Sequence, residues 1–87
     1  MHELSLITDL MNKIKTIARE QGSQKVISVS VKLGALSHIS PGHFREHFAD
    51  ASCGTVAEGA RLDIEVLTDT NDPHAQEIIL DSVEVEV

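Results

Sequence analysis

Between residues 20 and 25 the spacing of apolar side chains changes period, and that change sets what this chain can build. Over residues 3–20, Leu4, Ile7, Leu10, Met11, Ile14, Ile17 and Ala18 recur in steps of three and four. Such spacing draws one apolar stripe along a helix. Over residues 25–33, Ile27, Val29, Val31 and Leu33 alternate with Ser28, Ser30 and Lys32. Alternation gives a strand with one dry face and one wet face. A chain of 87 residues has one core to build, and helices must cover the dry face of the sheet.

The remaining elements follow from local chemistry. Glu3 and Asp9 lie towards the start of the first helix, where the dipole favours anions, and Arg19 and Gly22 mark its end. Ser40 is an N-cap and Pro41 a first helical residue for a second helix. Phe44, Phe48 and Ala51 form its stripe, and Gly54 stops it. Leu62, Ile64 and Val66 alternate with Arg61, Asp63 and Glu65 in a second strand over residues 61–66, and residues 67–75 are polar and turn-rich. The last strand spans roughly residues 77–87 and changes phase partway. Ile78 and Leu80 share one parity, and Val83, Val85 and Val87 the other. A bulge near Asp81–Ser82 places both sets on one face. The alternative turns Ile79 inward with the three valines, leaving Asp81 as an exception.

The predicted fold class is α+β, a two-layer sandwich with a three-stranded mixed sheet and two helices on one face. Its order is helix-strand-helix-strand-strand. Strand-helix-strand predicts a parallel first pair through a right-handed crossover. The last two strands are expected to form an antiparallel hairpin, unless the final strand is exchanged between copies. Residues 1–87 form one domain, with no repeat or linker.

Composition narrows the function. Seven Lys and Arg against 14 Asp and Glu give a net charge of −7. Residues 1–50 carry +1 and residues 51–87 carry −8. Phosphate recognition draws on clustered Lys and Arg, so no nucleic-acid partner is expected. The two aromatics are both Phe, which provides no stacking platform. A single cysteine, Cys53, excludes an intramolecular disulfide and a cysteine-rich zinc site. Cys53 is expected to be a partly buried residue near a helix end. No apolar run approaches the roughly 20 residues that span a bilayer. The first residues contain no apolar signal segment and read as a mature start. These features predict a cytoplasmic protein with no membrane partner. The small core leaves a homodimer open.

Five histidines, at positions 2, 38, 43, 47 and 74, are many for this length. His2 follows the chain terminus directly. A free amine, deprotonated backbone amides and a nearby imidazole can surround a metal in a plane, an arrangement that suits Ni(II) or Cu(II). Zinc prefers a tetrahedron. The plainer reading is a polar residue at a frayed end. His43 and His47 lie four apart on one face of the second helix, a usable ligand spacing, with Glu46 or Asp50 as a third donor. The plainer reading is a solvated face opposite Phe44 and Phe48. His38, just before the helix, could approach a metal, and His74 sits beside Asp72 in the polar loop. No catalytic triad or phosphate loop stands out.

Three separated segments carry a resemblance: Met1-His2-Glu3-Leu4-Ser5, Val31-Lys32-Leu33-Gly34-Ala35-Leu36-Ser37 and Gly54-Thr55-Val56-Ala57-Glu58-Gly59-Ala60-Arg61-Leu62. In this order and spacing they resemble the HypA/HybF family of nickel metallochaperones, which serve [NiFe]-hydrogenase and, in some organisms, urease. The resemblance covers about residues 1–66, and residues 77–87 fit the family's closing strand. It implies a nickel domain with two helices and three strands. It implies Ni(II) held by the Met1 amine, the His2 amide and imidazole and the Glu3 amide, with the Glu3 carboxylate tuning the site. The implied partners are a maturation GTPase and the hydrogenase large subunit, and no catalysis is implied. Two departures stand out. Members usually insert a zinc domain with two Cys-x-x-Cys pairs between the last two strands; here residues 67–76 bridge that gap, so no zinc is expected. Many members carry an acid where this chain has Ser40, and His38 is a nearby substitute. A second function is therefore a metal-independent adaptor in the same pathway. A third is a small hydrolase using His43, His47 or Cys53.

Overall fold

A computed structural model of the protein describes residues 3–86. Met1, His2 and Val87 lie outside the described residues, as do the side chains of Glu3 and Leu4. The elements are α1 (Glu3–Glu20), β1 (Val26–Leu33), α2 (Pro41–Ser52), β2 (Arg61–Val66) and β3 (Ile78–Val85). The predicted fold class and element order hold.

Helix α1 turns Ile7, Leu10, Met11, Ile14 and Ala18 into the core. It ends where Gly22 adopts φ 67. Ser23 N donates to Ala18 O and Gly22 N to Arg19 O, the Schellman pair that satisfies the last carbonyls of a helix. Helix α2 starts as its sequence predicts. The Ser40 hydroxyl accepts from His43 N at 3.2 Å, and Pro41 follows the cap. Caps of this kind contribute about 1 kcal/mol. Phe44 and Phe48 are buried, with ring centroids 6.2 Å apart. Burying a large apolar side chain stabilises the fold by about 1.5–3 kcal/mol. Ser52 is buried as well, and its hydroxyl donates to Ala49 O.

The sheet order is β2-β1-β3. Strand β1 pairs in parallel with β2, from Ser28 opposite Arg61 to Leu33 opposite Val66. It pairs antiparallel with β3, from Val26 opposite Val85 to Leu33 opposite Ile78. The parallel pair is as predicted. The hairpin between the last two strands does not form: β3 lies beside β1, and the two late strands occupy opposite edges. The central strand, β1, is the most buried of the three. The connection over residues 67–77 crosses the end of β1. There, Leu67 N donates to Leu33 O, Gly34 N to Glu77 O and Leu36 N to Ala75 O.

The phase change in β3 is a bulge. Ser30 faces Ser82 and Val31 faces Leu80, so Asp81 is the extra residue. Ile78, Leu80, Val83 and Val85 all pack on the core, and the reading with Ile79 inward is not the one adopted. A second irregularity corrects the expected face of β1. Val26 pairs with Val85 and Ser28 with Glu84, which leaves Ile27 unpaired. Val26 is buried instead, and Ile27 is 41% exposed. Ser28, on the outer face, is covered by Glu84, whose Oε1 lies 3.1 Å from the Ser28 hydroxyl. Val66, expected inward, is 53% exposed at the end of edge strand β2. Helix α2 reaches only the start of that strand, where Arg45 Nη1 donates to Leu62 O.

Candidate metal centre

Both helices begin at one pole of the molecule. At the opposite pole Lys15 and Arg19 of α1 share a groove with Gly54, Thr55 and Val56, just beyond α2. Thr55 Oγ1 lies 4.0 Å from Met11 Sδ, and Val26 N donates to Val56 O. Helices α1 and α2 therefore run side by side in one direction, each antiparallel to β1. Glu3, the first residue of α1, stands at the same pole as Ser40 and the segment that precedes it.

That segment is shaped by backbone geometry. Ser37 N donates to Gly34 O, closing a tight turn after β1. His38 follows with φ 60, in the left-handed region, and is exposed. Ser40 directs its hydroxyl to the α2 backbone, so its oxygen is already engaged as a cap.

Of the predicted site residues, the fold brings His43 and His47 together. Their ring centroids are 5.6 Å apart and the planes are inclined by 54°. His43 is exposed and His47 half-buried. Among the described residues, no group of three or more His, Cys, Asp or Glu assembles that could hold a metal ion. His38 is thus not gathered with that pair into a larger cluster. Met1 and His2, with the Glu3 carboxylate, lie outside the described part. Cys53, expected to be partly buried, is exposed; it is the C-cap residue, where the backbone has already left the helical conformation.

His74 makes a contact that the sequence reading missed. Its Nδ1 lies 2.8 Å from Glu77 Oε2, and its backbone N donates to Asp72 Oδ1 at 2.7 Å. The Glu77 hydrogen bond raises the His74 pKa above its ordinary value; Glu77's charge, and to a lesser degree Asp72's, push the same way. The three-residue spacing was the available signal, but outside a helix it carries little weight. This pair braces the connection that crosses β1.

The family described as "Hydrogenase/urease nickel incorporation, metallochaperone, hypA" matches residues 1–71. The chain belongs to this family. Hydrogenase maturation factor HypA of Methylocella silvestris is 40% identical over 67 residues, which cover 77% of this chain and 59% of that protein. HypA 1 of Bradyrhizobium diazoefficiens is 42% identical over 64 residues, covering 74% and 57%. The chain thus spans a little under three-fifths of the length of these HypA relatives. The solution structure of the Ni metallochaperone HypA from Helicobacter pylori shares the fold, with a TM-score of 0.79 at 20% identity, covering 98% of this chain and 97% of that one. Among the described residues, no helix of this HypA-family chain is long and apolar enough to cross a membrane.

Proposed function

We propose that the chain is a cytoplasmic nickel carrier for [NiFe]-hydrogenase maturation, without catalysis of its own. Ni(II) is its cargo. The Met1 amine, the His2 amide and imidazole and the Glu3 amide hold the ion in a plane, a geometry that suits Ni(II) and disfavours zinc. The observation that carries this reading is the family match, which begins at residue 1 and takes in Met1-His2-Glu3. Backbone donors release the ion on reprotonation, which suits transfer. By analogy with the family, a maturation GTPase and then the hydrogenase large subunit receive it. The connection 67–77 contains no cysteine, so we expect residues 1–87 to work as one nickel domain without zinc in that connection.

The competing reading is a metal-independent adaptor. It is favoured by Ser40, whose hydroxyl caps α2 and offers no carboxylate. Titration of Ni(II) into protein that starts at Met1, read by d–d absorption, separates the two. The carrier gives a square-planar spectrum that vanishes in His2→Ala and when one residue is added before Met1. A chain with no such spectrum that still binds its maturation partners is the adaptor.

A further inference from the structure

Helix α2 carries a pair of neighbouring imidazoles, His43 and His47, apart from the terminal site proposed above. His43, Glu46, His47 and Asp50 stand at i, i+3, i+4 and i+7, so they share one side of α2. Phe44 and Phe48, on the opposite side, are locked in the core. The stripe is therefore fixed in orientation by packing that a ligand does not disturb. We infer that His43 and His47 form a bidentate site for a borderline-soft divalent ion such as Zn(II), Ni(II) or Cu(II), separate from the chain terminus.

The geometry fits. Two histidines one helical turn apart are how helices present a pair of imidazoles to a single zinc. An ion ~2.1 Å from one nitrogen of each ring lies ~3.2 Å from each ring centroid. The observed centroid separation of 5.6 Å is within the ~6.4 Å that two such rings can span around one ion. A right-angled arrangement needs the rings only about 1 Å closer, within reach of small side-chain rotations. Each imidazole has two nitrogens and needs only one for the metal. Glu46 and Asp50 flank the pair on the same side and offset the repulsion between a dication and the positive start of the helix. Two protein donors leave the other coordination positions to water, so the site exchanges its ion readily.

Zn(II) is the discriminating probe, because it is poorly suited to a planar terminal site. It would be titrated into the full chain while the imidazole nitrogen resonances of all five histidines are followed by NMR. The expected result is that His43 and His47 shift together and the other three stay in place. The response persists in His2→Ala and is lost in His43→Ala and in His47→Ala alike. Far-UV circular dichroism checks that both variants fold. As a second readout, Zn(II) raises the melting temperature of the parent chain and of neither variant. Shifts centred on His2, His38 or His74, or binding that survives either single substitution, overturn the site. Because the terminal nickel spectrum plays no part, failure of the carrier reading leaves this result unaffected.

Discussion

Gly34 leaves no room for a β-carbon against the carbonyl of Ala75. The backbone there does not need glycine for its conformation. It needs glycine because the connection from β2 to β3 passes directly over the end of β1. Gly34 N meets Glu77 O at 2.9 Å, and Leu36 N meets Ala75 O at 2.7 Å. Any side chain at position 34 pushes the crossing segment away and costs those bonds. Gly34→Ala is expected to destabilise the fold by about 1–3 kcal/mol, the range for overpacking. Urea denaturation reads it as a lower midpoint with an unchanged slope. A midpoint equal to the parent's would mean that the crossing is not tightly docked.

Asp81 is the extra residue of β3, and its removal tests the register of the sheet. Without it, Ile78, Leu80, Val83 and Val85 alternate in a single phase opposite Leu33, Val31, Val29 and Val26. The exposed contact between Lys32 Nζ and Asp81 Oδ1, at 3.8 Å, is lost; pairs of this type contribute little. The Asp81 deletion is therefore expected to fold, with a stability change of about 1 kcal/mol or less. Deleting Glu84 instead turns Val85 outward and should destabilise by about 1–3 kcal/mol. Thermal melts of the two deletions compare them directly. Equal losses would refute the bulge as the source of the phase change.

That bulge was legible because it breaks a pattern: two parities of apolar residues in one strand require an extra residue. The irregularity at Ile27 was not, because Ile27 continues the alternation of Val29, Val31 and Leu33. It shows only when β1 is laid against β3 and Glu84 is seen to face Ser28. Helix ends were legible for a similar reason. Ser40, Pro41 and Gly22 act on their own neighbours, so their chemistry is local. Strand pairing is not local. Nothing within residues 61–87 says that β3 prefers β1 to β2; that pairing needs the crossing over β1, which the absence of a side chain at Gly34 permits. The site divides the same way. The spacing of His43 and His47 predicted their proximity, whereas the gathering of further donors depends on how loops are placed, and His38 with φ 60 follows its own turn.

His74 gives the fold a pH dependence whose sign is fixed. Its pKa in the folded chain is raised above 6.5, first by the hydrogen bond to Glu77 and then by the Glu77 charge. A group whose folded pKa is raised adds stability that is complete below the unfolded value near 6.5 and fades as pH rises through the folded value. The side chains are mostly exposed, so the effect on stability is small, and the titration itself is the sharper measurement. In Glu77→Gln the charge is gone and the hydrogen bond is weakened. The His74 ring should then titrate at lower pH than in the parent, as read from its imidazole chemical shift. The stability difference between parent and variant should be largest under mildly acidic conditions and shrink once His74 is neutral in both. An unchanged His74 titration in Glu77→Gln would show that the two side chains do not hold each other in solution. The crossing segment would then depend on its backbone bonds, on the Asp69 and Asp72 side chains that accept from Asn71 N and His74 N, and on the buried Ala75.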